Sequence, residues 1–248
     1  MLKRGFPPKD FIELLPLLVL YIAVILILST NTFDGDEGRY VMYATNLSNG
    51  YYSPIEKPGV WNGPGYPIVL VPFVLLKLPW LPAKLMNALF LFFAVLYFGR
   101  TLRLYVNERQ MLILSYILGL YPPFFRQIHM LLTETLVFFL VCGFIFHFCM
   151  LCRQRKIRVV HVLLASFFLG FLAITKVFFG YVIMVGMVSF PLLFLIKRVA
   201  ELKKMRGGLR AGFFCLHTVA NLHLFSHGKD SLLGQFRGDV SLLDVKPL

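Results

Sequence analysis

No glycine-rich nucleotide loop, no Gly-X-Ser-X-Gly and no His-Glu-X-X-His occurs in the 248 residues. A soluble nucleotide-sugar or ATP site is thereby left without support, as are the common hydrolase motifs. Acidic side chains are scarce, 12 against 25 Lys and Arg. Cysteine is scarce too: Cys142, Cys149, Cys152 and Cys215. None lies in the long polar stretch 31–64, so disulfides are no framework there. Cys149-Met150-Leu151-Cys152 is formally CxxC but lacks a second pair and sits on an apolar run, where both residues read as packing. Charge pairs inside the apolar runs are not evident, which counts against an ion transporter.

Apolar side chain is what the sequence has in excess. It makes up 58% of the residues, with 16% aromatic and a mean hydropathy of +0.74. A soluble core of this size cannot hide so much, whereas a bilayer solvates it. The formal charge of +13 does not read as a nucleic-acid site, because no basic, aromatic-studded soluble domain is present. Instead Lys and Arg collect in short loops, as the positive-inside rule requires.

The expected fold is all-α, a polytopic transmembrane helical bundle. Its first helix is an uncleaved apolar run over 11–28, preceded by Lys3, Arg4 and Lys9 and placing the N-terminus in the cytoplasm. Further runs cover 66–80, 83–99, 110–122, 130–150, 159–175 and 177–196. The basic groups Arg100/Arg103/Arg109, Arg153/Arg155/Lys156/Arg158 and Lys197 through Arg210 all become cytoplasmic only if 66–80 does not cross. That run is short and holds Pro67, Pro72 and Pro79, which fits a broken or re-entrant passage inside protein. The expectation is six full spans plus this partial one, with seven spans as the alternative. The first external loop, 31–64, carries a short amphipathic surface helix over 36–47, with Tyr40, Val41, Ala44 and Leu47 on one face and Asn49-Gly50 ending it. The loop, a short turn at 122–129 and Lys176 are expected on one outer face. Residues 1–196 form the membrane domain. Residues 197–248 are a basic stretch and an unassigned tail whose His217, His223 and His227 match no metal-ligand spacing.

The residues able to carry chemistry cluster after the first helix. Asp34, Asp36 and Glu37 fall within four positions, followed by Arg39 and Tyr40. Such a group caps a surface helix, binds a divalent cation or supplies a general base. Glu134, beside Thr133 at the edge of an apolar run, is either an interfacial cap or a functional carboxylate. Lys57, in Glu56-Lys57-Pro58, snorkels to the surface or pairs with a lipid phosphate. Arg126 and His129 flank the second outer turn.

Taken in order, Asp36-Glu37-Gly38-Arg39-Tyr40, Glu56-Lys57-Pro58, Gly63-Pro64-Gly65-Tyr66-Pro67 and Thr133-Glu134 resemble the polyprenyl-phosphate-dependent, GT-C-fold glycosyltransferases. The likeness covers about residues 10–196 and is nearest to the branch holding the lipid A aminoarabinose transferases, the protein O-mannosyltransferases and the Rgt-like bacterial enzymes. The resemblance implies transfer of a sugar from a polyprenyl-phosphate donor to a lipid, glycan or protein acceptor. By it Asp36 is the catalytic base, with Glu37 and Glu134 as further catalytic carboxylates. Arg39, Tyr40 and Lys57 contact substrate, and Asp36 and Glu134 offer ligands to a divalent cation; Arg126, a cation near two carboxylates or simply an interfacial residue, is a further substrate-binding candidate on its position alone. The basic loops on one side and the absence of cysteine from the external loop fit a bacterial inner membrane with the site facing the periplasm, the endoplasmic reticulum being the alternative. Family members are about twice as long, so the chain reads as a C-terminally truncated or frame-shifted form. The alternatives from other classes are a non-catalytic degenerate membrane protein and a transporter or flippase for a lipid-linked sugar.

Overall fold

The computed structural model describes residues 8–30, 32–53, 62–153 and 158–196. Lys57 and the tail 197–248 lie outside the described residues, and with them the readings attached to both. The described residues up to Leu193 belong to one compact unit. Among the described residues the secondary structure is entirely helical, in the order α1 (Pro8–Leu28), α2 (Glu37–Ser48), α3 (Gly65–Leu75), α4 (Trp80–Leu102), α5 (Glu108–Gly119), α6 (Pro122–Gln127), α7 (Glu134–Arg153), α8 (Val159–Thr175) and α9 (Val177–Ile196).

Among the described residues three helices are long and apolar enough to cross a membrane: Lys9–Leu28 within α1, Trp80–Leu102 and Glu134–Arg153. At 1.5 Å per residue, the 11 residues of α3 and the 12 of α5 each reach less than about 20 Å, against a hydrocarbon core of about 30 Å. A span count of six or seven is therefore not read off helix length alone.

Each helix boundary has a local cause. The α2 helix stops where Gly50 takes φ +87, a left-handed conformation that glycine reaches at little cost. The α5 helix opens on a capping box, Asn107 accepting from the Gln110 N–H at 2.9 Å while the Asn107 N–H donates to the Gln110 side chain. The break between α5 and α6 falls at Tyr121, which is extended and precedes Pro122, because a proline disfavours helical geometry in the residue before it. A break in an apolar medium leaves backbone carbonyls without partners. Here Tyr21 of α1 donates its hydroxyl to the Gly119 carbonyl at 2.8 Å. The amide of Asn87 in α4 donates to the carbonyls of Ile128 and Met130 at 3.1 and 2.7 Å.

Side-chain contacts sort the helix ends into two groups. At one end Arg103 of α4 meets Asp10 of α1 at 2.7 Å, Lys9 meets Glu108 of α5 at 2.7 Å, and Arg153 of α7 donates to the Leu104 carbonyl. At the other end lie the C-terminus of α1, all of α2, and the N-termini of α4 and α7, where Lys84 donates to the Thr30 carbonyl at 3.0 Å and Leu131 donates to Glu37 at 2.6 Å. The C-terminus of α8 joins this end through Lys176 and Glu134, 3.4 Å apart. The segment 65–80 both starts and finishes there: Gly65 abuts Thr175 and Trp80 meets Phe33 edge-on at 5.7 Å. Both ends of this segment therefore lie at one end of the bundle. By contrast, 108–131 runs from one end to the other as α5 and α6 together. The stretch 122–129 is thus mostly a short helix completing that passage, not the simple turn expected from sequence.

Two apolar clusters hold the bundle. One joins α1 to α4 through Leu14, Leu17, Tyr21, Leu91, Phe92 and Val95. The other joins α2, α3, α7 and α8 through Tyr40, Tyr66, Leu70, Leu136, Leu140 and Phe168. In a bilayer such contacts gain little from leaving lipid, so close packing and hydrogen bonds carry the association. Gly143 shows how close: a Cβ there would sit 2.6 Å from the Phe168 ring. The outward faces of α8 and α9 expose Val160, Leu163, Phe167, Tyr181, Val185 and Val188, a surface that lipid solvates and water does not.

Candidate functional site

The polar end of the bundle is built around α2. Glu37, in its first turn, is 2% exposed and fully engaged. One oxygen accepts the Leu131 N–H at 2.6 Å and the other accepts the Asp34 N–H at 2.9 Å. Lys84 lies 3.8 Å from the first oxygen, its side chain 3% exposed. Glu37 therefore ties the loop before α2 to the segment before α7. It is held as an anchor, since a carboxylate so occupied has little freedom to accept a substrate proton. Asp36, one residue earlier, points the other way. Its side chain is 51% exposed and pairs with Arg39 at 3.1 Å, and it makes no side-chain cap to α2.

Tyr40 brings α2 to α7. It is buried, packs edge-on to Tyr66 at 5.4 Å, and has Thr133, Glu134, Asp36 and Arg39 around it. Burial raises its hydroxyl above the usual tyrosine range; the neighbouring Thr133 side chain works against that rise, while the Glu134 and Asp36 charges add to it. Glu134, half-buried, faces Lys176. The structure so gathers Asp36, Glu37, Arg39, Tyr40 and Glu134 at one end, together with Lys176. Arg126 is not among them: it is exposed on α6, and among the described residues no carboxylate pairs with it. Lys57 is outside the described residues.

Two residues that the sequence reading passed over belong to this end. Lys84 and Asn87 sit in the first two turns of α4 and are 2% and 1% exposed. Beyond its bonds to Ile128 and Met130, Asn87 accepts from Thr135 at 3.0 Å. The signal was available: an ionisable group and an amide inside an apolar run. Lys84 thus lies inside the apolar run 83–99, and the acid it faces, Glu37, comes from α2 outside the runs. Toward the opposite end, His147 of α7 and His161 in the first turn of α8 also meet, their Nδ1 atoms 2.8 Å apart.

No known family model, curated protein or solved structure matches this chain. The site must therefore be judged on its own geometry.

Among the described residues no group of three or more His, Cys, Asp or Glu side chains is placed to hold a metal ion. Asp36 and Glu134 each already face a cation, Arg39 and Lys176. A divalent ion held by these two carboxylates would need oxygens from water or from a substrate phosphate to complete its shell, as Mg²⁺ commonly does. What the arrangement offers chemically is a half-exposed carboxylate for proton transfer, with Arg39 beside it, and Lys176 at Glu134 as a second cation at this end.

Proposed function

We propose that this chain is a polytopic membrane glycosyltransferase of the GT-C type, or a fragment of one. It transfers a sugar from a polyprenyl-phosphate donor to a lipid, glycan or protein acceptor. The observation that carries the reading is the contrast between adjacent carboxylates: Glu37 is buried and spent on anchoring, while Asp36 is open at the polar end of helices long enough to enter a bilayer. In this reading Asp36 takes the proton from an acceptor hydroxyl as its oxygen bonds to the anomeric carbon. The bond from that carbon to the phosphate oxygen breaks, and the polyprenyl phosphate leaves with the electron pair. The leaving group is a stable anion, so cations matter more than an acid. Arg39 lies close enough to Asp36 to serve, and Lys57 and Lys176 are further candidates. Glu134 orients the acceptor or contributes to a metal. General-base help of this kind is worth about 10²–10⁴ in rate.

The clustering of Arg103 and Arg153 at the opposite end supports a cytoplasmic placement for that end. The site then faces outward, to the periplasm if the host membrane is a bacterial inner membrane. That segment 65–80 starts and finishes at one end, while 108–131 runs between the two ends as α5 and α6, supports six crossings plus a partial one.

The buried pair Lys84–Glu37 and the pair His147–His161 favour a second reading, a transporter for a lipid-linked sugar, more than the sequence did. One experiment separates the two. Membranes holding the chain are supplied with a panel of polyprenyl-phosphate sugars, and transfer and transbilayer flux are measured together for the native chain and Asp36→Asn. Transfer that Asp36→Asn lowers at least about 100-fold at equal expression supports the enzyme. Flux without transfer overturns it.

A further inference from the structure

A pocket of about 150 Å³ lies between the C-terminus of α1 and the N-terminus of α4. Its polar lining comes from Ser29, Thr30 and Lys84, and its apolar lining from Leu26, Phe33, Trp80 and Leu81. Thr30 spends its hydroxyl on the Thr32 carbonyl, which leaves Lys84 and Ser29 as the polar side chains with donors to offer. The Lys84 ammonium has three N–H bonds. One goes to the Thr30 carbonyl at 3.0 Å, and Glu37 at 3.8 Å is beyond hydrogen-bond distance. The Ser29 hydroxyl is buried with no partner among the described residues. Glu37, the acid that faces Lys84, already takes two backbone N–H bonds. Buried donors without acceptors are costly, so such a pocket is completed by water or by a ligand that brings oxygens.

The apolar wall says where that ligand resides. Leu26 and Leu81 line the pocket and are also 55% and 39% exposed, on two helices long enough to cross a membrane. The pocket thus adjoins a lipid-facing surface at the polar end of both helices. Its volume equals that of about five liquid waters, room for a phosphate group and its ester oxygens. We propose that this pocket binds a phosphate group, and that its source is the headgroup of an anionic acyl phospholipid whose chains lie against Leu26 and Leu81. Lys84 and Ser29 donate to the phosphate oxygens. The proposal stands independently of glycosyl transfer.

The test uses the full chain purified in dodecyl maltoside. Native mass spectrometry follows binding of palmitoyl-oleoyl phosphatidylglycerol, of the matching diacylglycerol, which lacks phosphate, and of inorganic phosphate as competitor. The expected result is saturable phosphatidylglycerol binding well above that of diacylglycerol. Ser29→Ala removes a hydroxyl that has no partner among the described residues, so it should leave thermal stability unchanged and weaken binding about tenfold, as loss of a hydrogen bond to a charged group does. Lys84→Arg keeps the charge and should retain binding. Equal binding of diacylglycerol, or undiminished phosphatidylglycerol affinity in a folded Ser29→Ala, overturns the proposal. Displacement of the lipid by inorganic phosphate at comparable concentration upholds the phosphate site but overturns the lipid as its source.

Discussion

Replacing Glu37 by glutamine keeps the shape of the side chain and removes its charge, which makes it a direct probe of what holds the polar end together. At 3.8 Å from Lys84, the pair attracts by about 4 kcal/mol at an effective dielectric near 20. Desolvation of both ions offsets much of this in the intact protein. Losing one partner does not return the cost of burying the other, so breaking a buried pair costs about 3–5 kcal/mol. Glu37→Gln also weakens the bonds from Leu131 and Asp34, leaving the amide with one acceptor oxygen for two donors. The expected loss is at the upper part of that range. Lys84→Met should cost less, because Glu37 keeps its two N–H donors. The double variant removes both charges and should be less destabilised than the sum of the singles by about 2–3 kcal/mol. The assay is reversible unfolding by sodium dodecyl sulfate in mixed dodecyl maltoside micelles, followed by tryptophan fluorescence; Trp80 lies next to this end. A Glu37→Gln loss under about 1 kcal/mol, or strict additivity in the double variant, refutes the anchoring role assigned to Glu37.

Other expectations follow from the same contacts. Asn87→Leu leaves the Ile128 and Met130 carbonyls and the Thr135 hydroxyl without their partner; it should destabilise by about 2–5 kcal/mol in the same unfolding assay, several times the effect of Leu89→Ala on the exposed face. Gly65→Ala would drive a Cβ into Thr175, whose Cα lies 2.8 Å from where that carbon would stand, and should cost about 1–3 kcal/mol, with Thr175→Ala partly restoring stability. Burial pushes the Tyr52 hydroxyl up to about 12, above its ordinary value near 10. The folded state then holds that proton more tightly than the unfolded one. Stability is undiminished below pH about 10 and falls as pH rises toward 12; ultraviolet titration of native chain against Tyr52→Phe should show the late-appearing phenolate.

The sequence made several elements legible for plain physical reasons. Apolar runs bounded by charge announced α1, α4, α7 and α8, because lipid-facing and core-facing positions are both apolar. Clustered prolines marked 66–80 as unable to form a long helix, and α3 is indeed 11 residues. The helical spacing of Tyr40, Val41, Ala44 and Leu47 located α2 nearly to its ends. Even the break before α6 had its signal in Pro122-Pro123. The candidate site was legible as a string of charged residues but not as an arrangement. Nothing in Asp36-Glu37 says which carboxylate is buried, since helix phase alone cannot tell which side the neighbours occupy.

By itself, then, the sequence determined the helical class, the affinity for a bilayer and the set of charged residues available for chemistry, because these depend on composition and local periodicity. Only the tertiary structure decided their roles. Leu131 lies 94 positions from Glu37 and Thr30 lies 54 positions from Lys84. Contacts at such separations follow from how helices pack, and that packing buries Glu37 against two backbone donors while leaving Asp36 exposed.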